Sequence, residues 1–227
     1  MTNDTSANSK AAKSPLHDKP RASVFSAAAA EVARRDRVMA RLMKRLGPFR
    51  LPTPRGNHFA ALAESILYQQ LAGAAARAIH RRFVALFNGH LSPDAVLALP
   101  PRKLRAAGLS VAKVAYIRDL AAKVTDGTVP LRRIGALSDD EIVGRLSIVR
   151  GIGRWTAEMF LIFQLRRLDV WPVDDYGVRQ GYTLAYGLRG LITPKHLDAQ
   201  GERFRPYRTV AAWYCWQALL EKRKSKQ

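Results

Sequence analysis

Apolar residues along this chain recur at steps of three and four, the repeat of helices that bury one face. From Phe25 to Leu46 the set Val32, Met39, Leu42, Met43 and Leu46 keeps that spacing, with Arg34, Arg35, Arg37, Arg41 and Lys44 falling largely between. The pattern predicts one helix, stopped at Gly47-Pro48. A second stretch, FAALAESILYQQLAGAAARAIHRRFVALF, begins near His58 and Phe59 and ends at Asn88-Gly89, with Gly73 placed to divide it in two. Ser92-Pro93-Asp94 reads as a cap with proline in the first helical position. Leu99-Pro100-Pro101 punctuates again, ahead of LRAAGLS and an amphipathic run carrying Val114, Ile117, Leu120, Ala121 and Val124. Ser138 is placed to cap a helix that opens on Asp139, Asp140 and Glu141, acids suited to the positive end of a helix dipole. Period-two alternation is never sustained; IFQLRRLDVWPV comes nearest and is short. The expected fold class is all-α, built of many helices without a solenoid repeat.

Composition narrows what such a fold could do. With 227 residues, 48% of them hydrophobic, the chain can bury a real core. Residues 1–22 are polar, hold Pro15 and Pro20, and read as a disordered tail; residues 221–227 read as a basic tail. Lysine and arginine number 38 against 18 acids, a net charge of +20. Setting aside +2 on residues 1–21 and +3 on residues 221–227 leaves +15 on residues 22–220. A body that basic suits a polyanion; nucleic acid is the favoured partner, though an anionic membrane surface selects the same charge. The single cysteine, Cys215, excludes a disulfide framework within the chain and a four-cysteine metal site. No apolar window is long enough to span a bilayer and no secretory h-region opens the chain, so an intracellular protein is expected.

The segment DDEIVGRLSIVRGIGRWTAEMFLIF carries the most chemistry. A capped helix runs to about Ile148, Gly151-Ile152-Gly153 makes a tight turn, and a second helix starts near Arg154. Two glycines one residue apart let the backbone turn sharply and approach a partner closely. The second helix then aims free N–H groups outward, and these, with the helix dipole, form a phosphate site that needs no basic side chain. Ile152 would tuck into the core. An ordinary corner between helices can contain the same G-x-G, so the turn alone leaves both readings open.

Helix, Gly-hydrophobic-Gly turn, helix resembles the helix-hairpin-helix DNA-binding motif. Upstream stand ESILYQQLAGAAA and LRAAGLSVAKVAYIRDLA; downstream stand R-W-T-A, LDVWPVDDYGVRQG and FRPYRTVAAWYCW. In this order and spacing, over roughly residues 57–220, the chain resembles the helix-hairpin-helix base-excision DNA glycosylases. It is most similar to the DNA-3-methyladenine glycosylase II family, which removes alkylated purines. The resemblance implies two helical lobes with a cleft between them: 59–165 in one, 23–58 plus 166–220 in the other. It also implies a monomer acting on double-stranded DNA that contains damaged bases, in the cytoplasm or nucleoid if the source is bacterial. Some relatives carry a mixed α/β domain ahead of the helical part; with about 58 residues before the match, its absence is expected.

Residue by residue, the family's catalytic carboxylate matches Asp175, the second acid of Asp174-Asp175. Cleaving an N-glycosidic bond builds positive charge on the sugar, and a carboxylate below C1′ stabilises it and can orient or deprotonate the attacking water. On the residues alone, both acids could equally cap the helix starting at Tyr176. Trp155 stands where lyase-type relatives carry a lysine nucleophile. An indole forms no Schiff base, so the resemblance implies hydrolysis without strand cleavage. Its face could instead stack on a cationic purine, or Trp155 could be an ordinary core aromatic. Trp216 matches a second tryptophan of the base pocket, with Trp213 as its rival on the same helix, and Met159 sits where close relatives carry an aromatic.

Gly151, Ile152, Gly153, Arg154 and Thr156 form the expected DNA grip. Gln69 and Gln70 match the position that fills the stack once a base is flipped out, Gln70 being preferred; without the resemblance they are surface or capping glutamines. No cofactor is implied beyond a monovalent cation at the backbone carbonyls of Ser147, Val149 and Ile152, and the five histidines show no ligand spacing. Cys215 reads as a packed core residue, which excludes the iron–sulfur branch. Two rival readings remain: a catalytically inactive helix-hairpin-helix DNA-binding protein, and a glycosylase for another lesion such as uracil or hypoxanthine.

The charge on the body generates a test. Affinity for undamaged duplex should fall steeply with salt, log K dropping by roughly 0.9 per phosphate neutralised for each decade of salt. A fluorescence-anisotropy titration at several salt concentrations measures that slope, and a flat profile would remove the polyanion reading.

Overall fold

The computed structural model describes residues 19–54 and 56–225; of the disordered tail expected over residues 1–22, residues 1–18 lie outside them. Among the described residues there are twelve α-helices and no strand. They are α1 (Lys19–Arg35), α2 (Arg37–Leu46), α3 (His58–Tyr68), α4 (Gly73–Ala85), α5 (Pro93–Ala98), α6 (Pro101–Ala106), α7 (Val111–Thr125), α8 (Asp139–Ser147), α9 (Arg154–Met159), α10 (Tyr176–Ala185), α11 (Pro194–Gly201) and α12 (Arg208–Lys224). The all-α expectation holds. Side-chain caps fix most helix starts where the sequence places a short polar residue: Asn57, Ser92, Ser110 and Thr193 each accept an N–H of the first turn. Ser138 and Glu141 close a reciprocal capping box at α8. Each such cap contributes about 1 kcal/mol.

Two expectations are corrected. The helix predicted over 25–46 is two, because Asp36 adopts extended backbone and accepts the N–H groups of Val38 and Met39 at 2.9 Å each, starting α2 afresh. Residues 19–22 and 221–224, expected within the tails, are helical: α1 begins at Lys19 and α12 runs on to Lys224. The strand-like piece IFQLRRLDVWPV forms no strand. Residues Phe160–Gln164 wind into a π-helical turn, and the segment beyond docks on other helices instead of pairing with a strand. Thr209 donates its N–H to Leu168 O at 2.9 Å and accepts Val170 N–H at 3.0 Å, while Trp171 Nε1 donates to Leu197 O at 2.8 Å.

The extensive helix contacts fall into two sets. In one, α10 lies along α12, and α1 and α2 pack on α12. In the other, α3 packs on α4 and α7, α5 and α6 pack on α7, and α8 packs on α9; the π-turn brings α9 back against α3. Buried apolar residues form one connected core through both sets. Closest of all is the crossing of α10 and α12. A Cβ on Gly181 would stand 1.8 Å from the carbonyl oxygen of Cys215, so only glycine permits this approach. Cys215 itself is fully buried there.

Gly181→Ala should therefore lower folding stability by about 3 kcal/mol, since backbone rather than a flexible side chain has to move. A shift of the urea midpoint measures it; a midpoint unchanged from the parent would show that α10 and α12 can separate freely.

Candidate active site

The hairpin after α8 is tied down from three directions. Ile152 is buried beneath it, Asp119 of α7 accepts the N–H of Arg150 at 2.8 Å, and Gln69 Nε2 donates to Gly151 O at 2.8 Å. Gly151 has φ +82°, and a Cβ there would sit 2.3 Å from the ring of Tyr116, so both backbone and packing demand glycine. Gly153 differs. It is exposed, has extended backbone at the N-terminus of α9, and a Cβ would meet nothing within 4 Å. The fold makes no demand for a glycine at 153; any such demand comes from outside the protein. Val149 O accepts the N–H of Ile152 at 3.0 Å, which leaves one of its two lone pairs for the expected monovalent cation.

Gln69 and Gln70 separate in role. Gln69 caps the end of α3 and is spent on the hairpin, whereas Gln70 is exposed in the left-handed region at φ +55°. Lys113 fixes this loop by donating to Leu67 O at 2.7 Å and Gln69 O at 2.8 Å; partial burial pulls its ammonium below the usual lysine range. Loop and hairpin thus form one braced edge. Arg154 is exposed and pairs with Glu158 at 3.0 Å one turn on, while Thr156 is buried. Burial pushes the Glu158 carboxyl above its usual range, against the opposing pull of Arg154.

Asp175 gathers the expected site residues. It is 8% exposed, whereas Asp174 beside it is exposed. Its Oδ1 caps α10 by accepting Val178 N–H at 2.7 Å and also accepts Trp216 Nε1 at 2.8 Å; its Oδ2 accepts Trp155 Nε1 at 2.6 Å. Capping and facing the site are therefore the same residue's work. Trp216 stacks on Phe163 with ring centroids 5.7 Å apart, while Trp213 packs edge-on against Phe49, away from the carboxylate. Gly177 makes the room: a Cβ there would lie 2.9 Å from Trp216 and 3.0 Å from Asp175.

Beside Trp155 opens a cavity of about 770 Å³. One wall is α3 with Ala61, Glu64 and Tyr68; the other is α9 and the π-turn with Trp155, Met159 and Phe163. Gln69, Gln70 and Thr156 reach its rim or wall as well. A half-exposed indole in a cavity wall can stack a flat ring on its face, and its N–H ties that wall to the buried carboxylate. Sequence reasoning missed Glu64, Phe163, Lys113, Asp119, Glu158 and Gly177. Gly177 alone left a trace, as the small residue inside D-Y-G-V, with nothing to say which side chain it accommodates.

The family model described as HhH-GPD superfamily base excision DNA repair protein matches residues 63–206. DNA-3-methyladenine glycosylase 1 of Schizosaccharomyces pombe is 34% identical over 181 residues, covering 78% of this chain and 79% of its own length. Among solved structures, 3-methyladenine DNA glycosylase of S. pombe in complex with abasic DNA superposes with a TM-score of 0.75 at 33% identity, over 84% of this chain and 95% of that one. A DNA-3-methyladenine glycosidase from Bacillus halodurans gives 0.81 at 33% identity, over 87% and 91%.

The two hairpin glycines should part company on mutation. Gly151→Ala should cost roughly 2 kcal/mol or more through its positive φ and the Tyr116 ring. Gly153→Thr adds a capping oxygen that glycine lacks, should unfold at a urea midpoint no lower than the parent's, and should bind duplex DNA about tenfold more weakly through lost phosphate contacts. Unchanged affinity in the folded Gly153→Thr protein would take this edge out of the DNA interface.

Proposed function

Because the chain belongs to the HhH-GPD superfamily of base excision DNA repair proteins, we propose that it is a monofunctional DNA glycosylase for alkylated purines of the 3-methyladenine and 7-methylguanine class. DNA is its macromolecular partner, and it works as a monomer. The observation that carries the reading is the meeting of Trp155 and Trp216 on the buried carboxylate of Asp175, with Trp155 also lining a cavity.

In this mechanism the braced edge of hairpin and loop holds the strand, the hairpin amides on a phosphate and Gln70 in the gap left by the flipped nucleotide. The extruded base enters the cavity against Trp155. As the C1′–N bond breaks, the base leaves with the bonding electron pair and the sugar acquires positive charge. Asp175 stabilises that charge through space, and water attacks C1′, losing its proton to the carboxylate or to solvent. Hydrolysis ends at an abasic site, since position 155 offers no amine to form a Schiff base. A monovalent cation at the carbonyls of Ser147, Val149 and Ile152 would stiffen the hairpin.

The hydrogen bonds at Asp175 make its isostere informative. Asparagine keeps an oxygen for Val178 N–H and Trp216, but places an NH2 against the Trp155 N–H, a donor facing a donor. Asp175→Asn should lose about 1–2 kcal/mol of stability. Single-turnover release of 7-methylguanine from duplex DNA should fall on the order of 10²–10³-fold while DNA binding persists. Asp174→Asn, an exposed neighbour, should leave the rate within about twofold. If Asp175→Asn stays active, the assignment of this carboxylate fails; if the parent releases no alkylated purine at all, the glycosylase reading itself fails.

A further inference from the structure

The cavity beside Trp155 is electrostatically one-sided. Among its described lining residues a single side chain is charged, and that one is Glu64; the rest are aromatic, apolar or neutral polar groups. This occurs in a chain whose net charge is +20. Glu64 stands on α3 one turn before Tyr68, with its side chain 46% exposed. Among the described residues, its one basic neighbour in ion-pair range is His80, Nδ1 to Oε1 at 4.0 Å, too far for a hydrogen bond. Arg77 and Arg81 of α4 share with Glu64 and His80 an adjoining cleft outside the cavity. Glu64 therefore borders the cavity without being tightly neutralised from behind.

We propose that Glu64 is the specificity-determining residue that separates cationic purines from ordinary ones. This rests on the reading above, in which a flipped base occupies the cavity. Size alone cannot make that separation, because any cavity that admits an alkylated purine also admits the same purine without the alkyl group, and one carbon changes binding only modestly. Charge can. Alkylation at N3 or N7 leaves a positive charge on the purine ring, whereas adenine and guanine are neutral. A carboxylate at the edge of a partly dehydrated cavity attracts the first and is indifferent to the second. The face of Trp155 adds a weaker attraction of the same sign. When the C1′–N bond breaks, its electron pair stays with the base and cancels the ring charge. Glu64 then holds the lesion but does not retain the product.

The test is Glu64→Gln, which keeps shape and removes charge at a half-exposed position. Excision of 7-methylguanine from duplex DNA under single-turnover conditions should fall about tenfold. Affinity for a duplex carrying an abasic-site analogue, which puts no base in the cavity, should stay the same, and so should any release of neutral hypoxanthine. His80→Gln should alter none of the three. The proposal is overturned by unchanged 7-methylguanine excision, by an equal loss on hypoxanthine, by a matching loss of abasic-DNA affinity, or by His80→Gln reproducing the effect. A parent protein inactive on 7-methylguanine would instead refute the function proposed above, so the two failures are distinguishable.

Discussion

A carboxylate buried without partners costs several kcal/mol, and Asp175 escapes that cost only because three N–H donors reach it. One is the backbone of its own helix; the other two are indoles carried by α9 and α12. Much of the architecture answers to this requirement. The crossing of α10 and α12, set by the bare backbone of Gly181, brings Trp216 to Oδ1. The hairpin and its π-turn set where Trp155 emerges. Gly177 leaves space for both ring and acid. Moving any one of these elements would leave either a buried charge short of donors or an indole N–H without an acceptor.

The same economy governs the edge formed by the hairpin and the Gln69–Gln70 loop. Gln69 spends its amide on the hairpin carbonyl, and Lys113 closes the end of α3, so the exposed Gln70 inherits a fixed position despite sitting on a loop. Asp119 performs the matching task for the hairpin from the opposite helix. These are side chains that never need to touch a ligand, yet they hold the residues that do within a narrow geometry, as precise catalysis requires.

What could be read from the sequence divides along physical lines. Helix starts were legible because capping is local: Ser92 and Ser138 act within three residues of themselves. Asp36 was misread because one helical repeat continues across it, and only the cap geometry shows the break. IFQLRRLDVWPV came nearest to a strand pattern without sustaining one, and two of its backbone groups, Leu168 O and Val170 N–H, bond to Thr209 some forty residues away. Asp175, Trp155 and Trp216 were found through resemblance, and residue chemistry alone would have left them as a cap and two core aromatics. Glu64 and Gly177 carried no usable signal, since an acid on an amphipathic helix and a glycine near a helix start are commonplace. Their meaning lies in contacts across the fold.

Cys215 acquires a further significance from its place beneath Gly181. Agents that methylate purines also attack thiolates, which are far better nucleophiles than ring nitrogens. This chain has one cysteine, fully sealed between α10 and α12, and burial pushes its thiol well above the usual range, so that the reactive anion is suppressed. A protein of alkylation repair therefore offers such an electrophile no accessible sulfhydryl of its own.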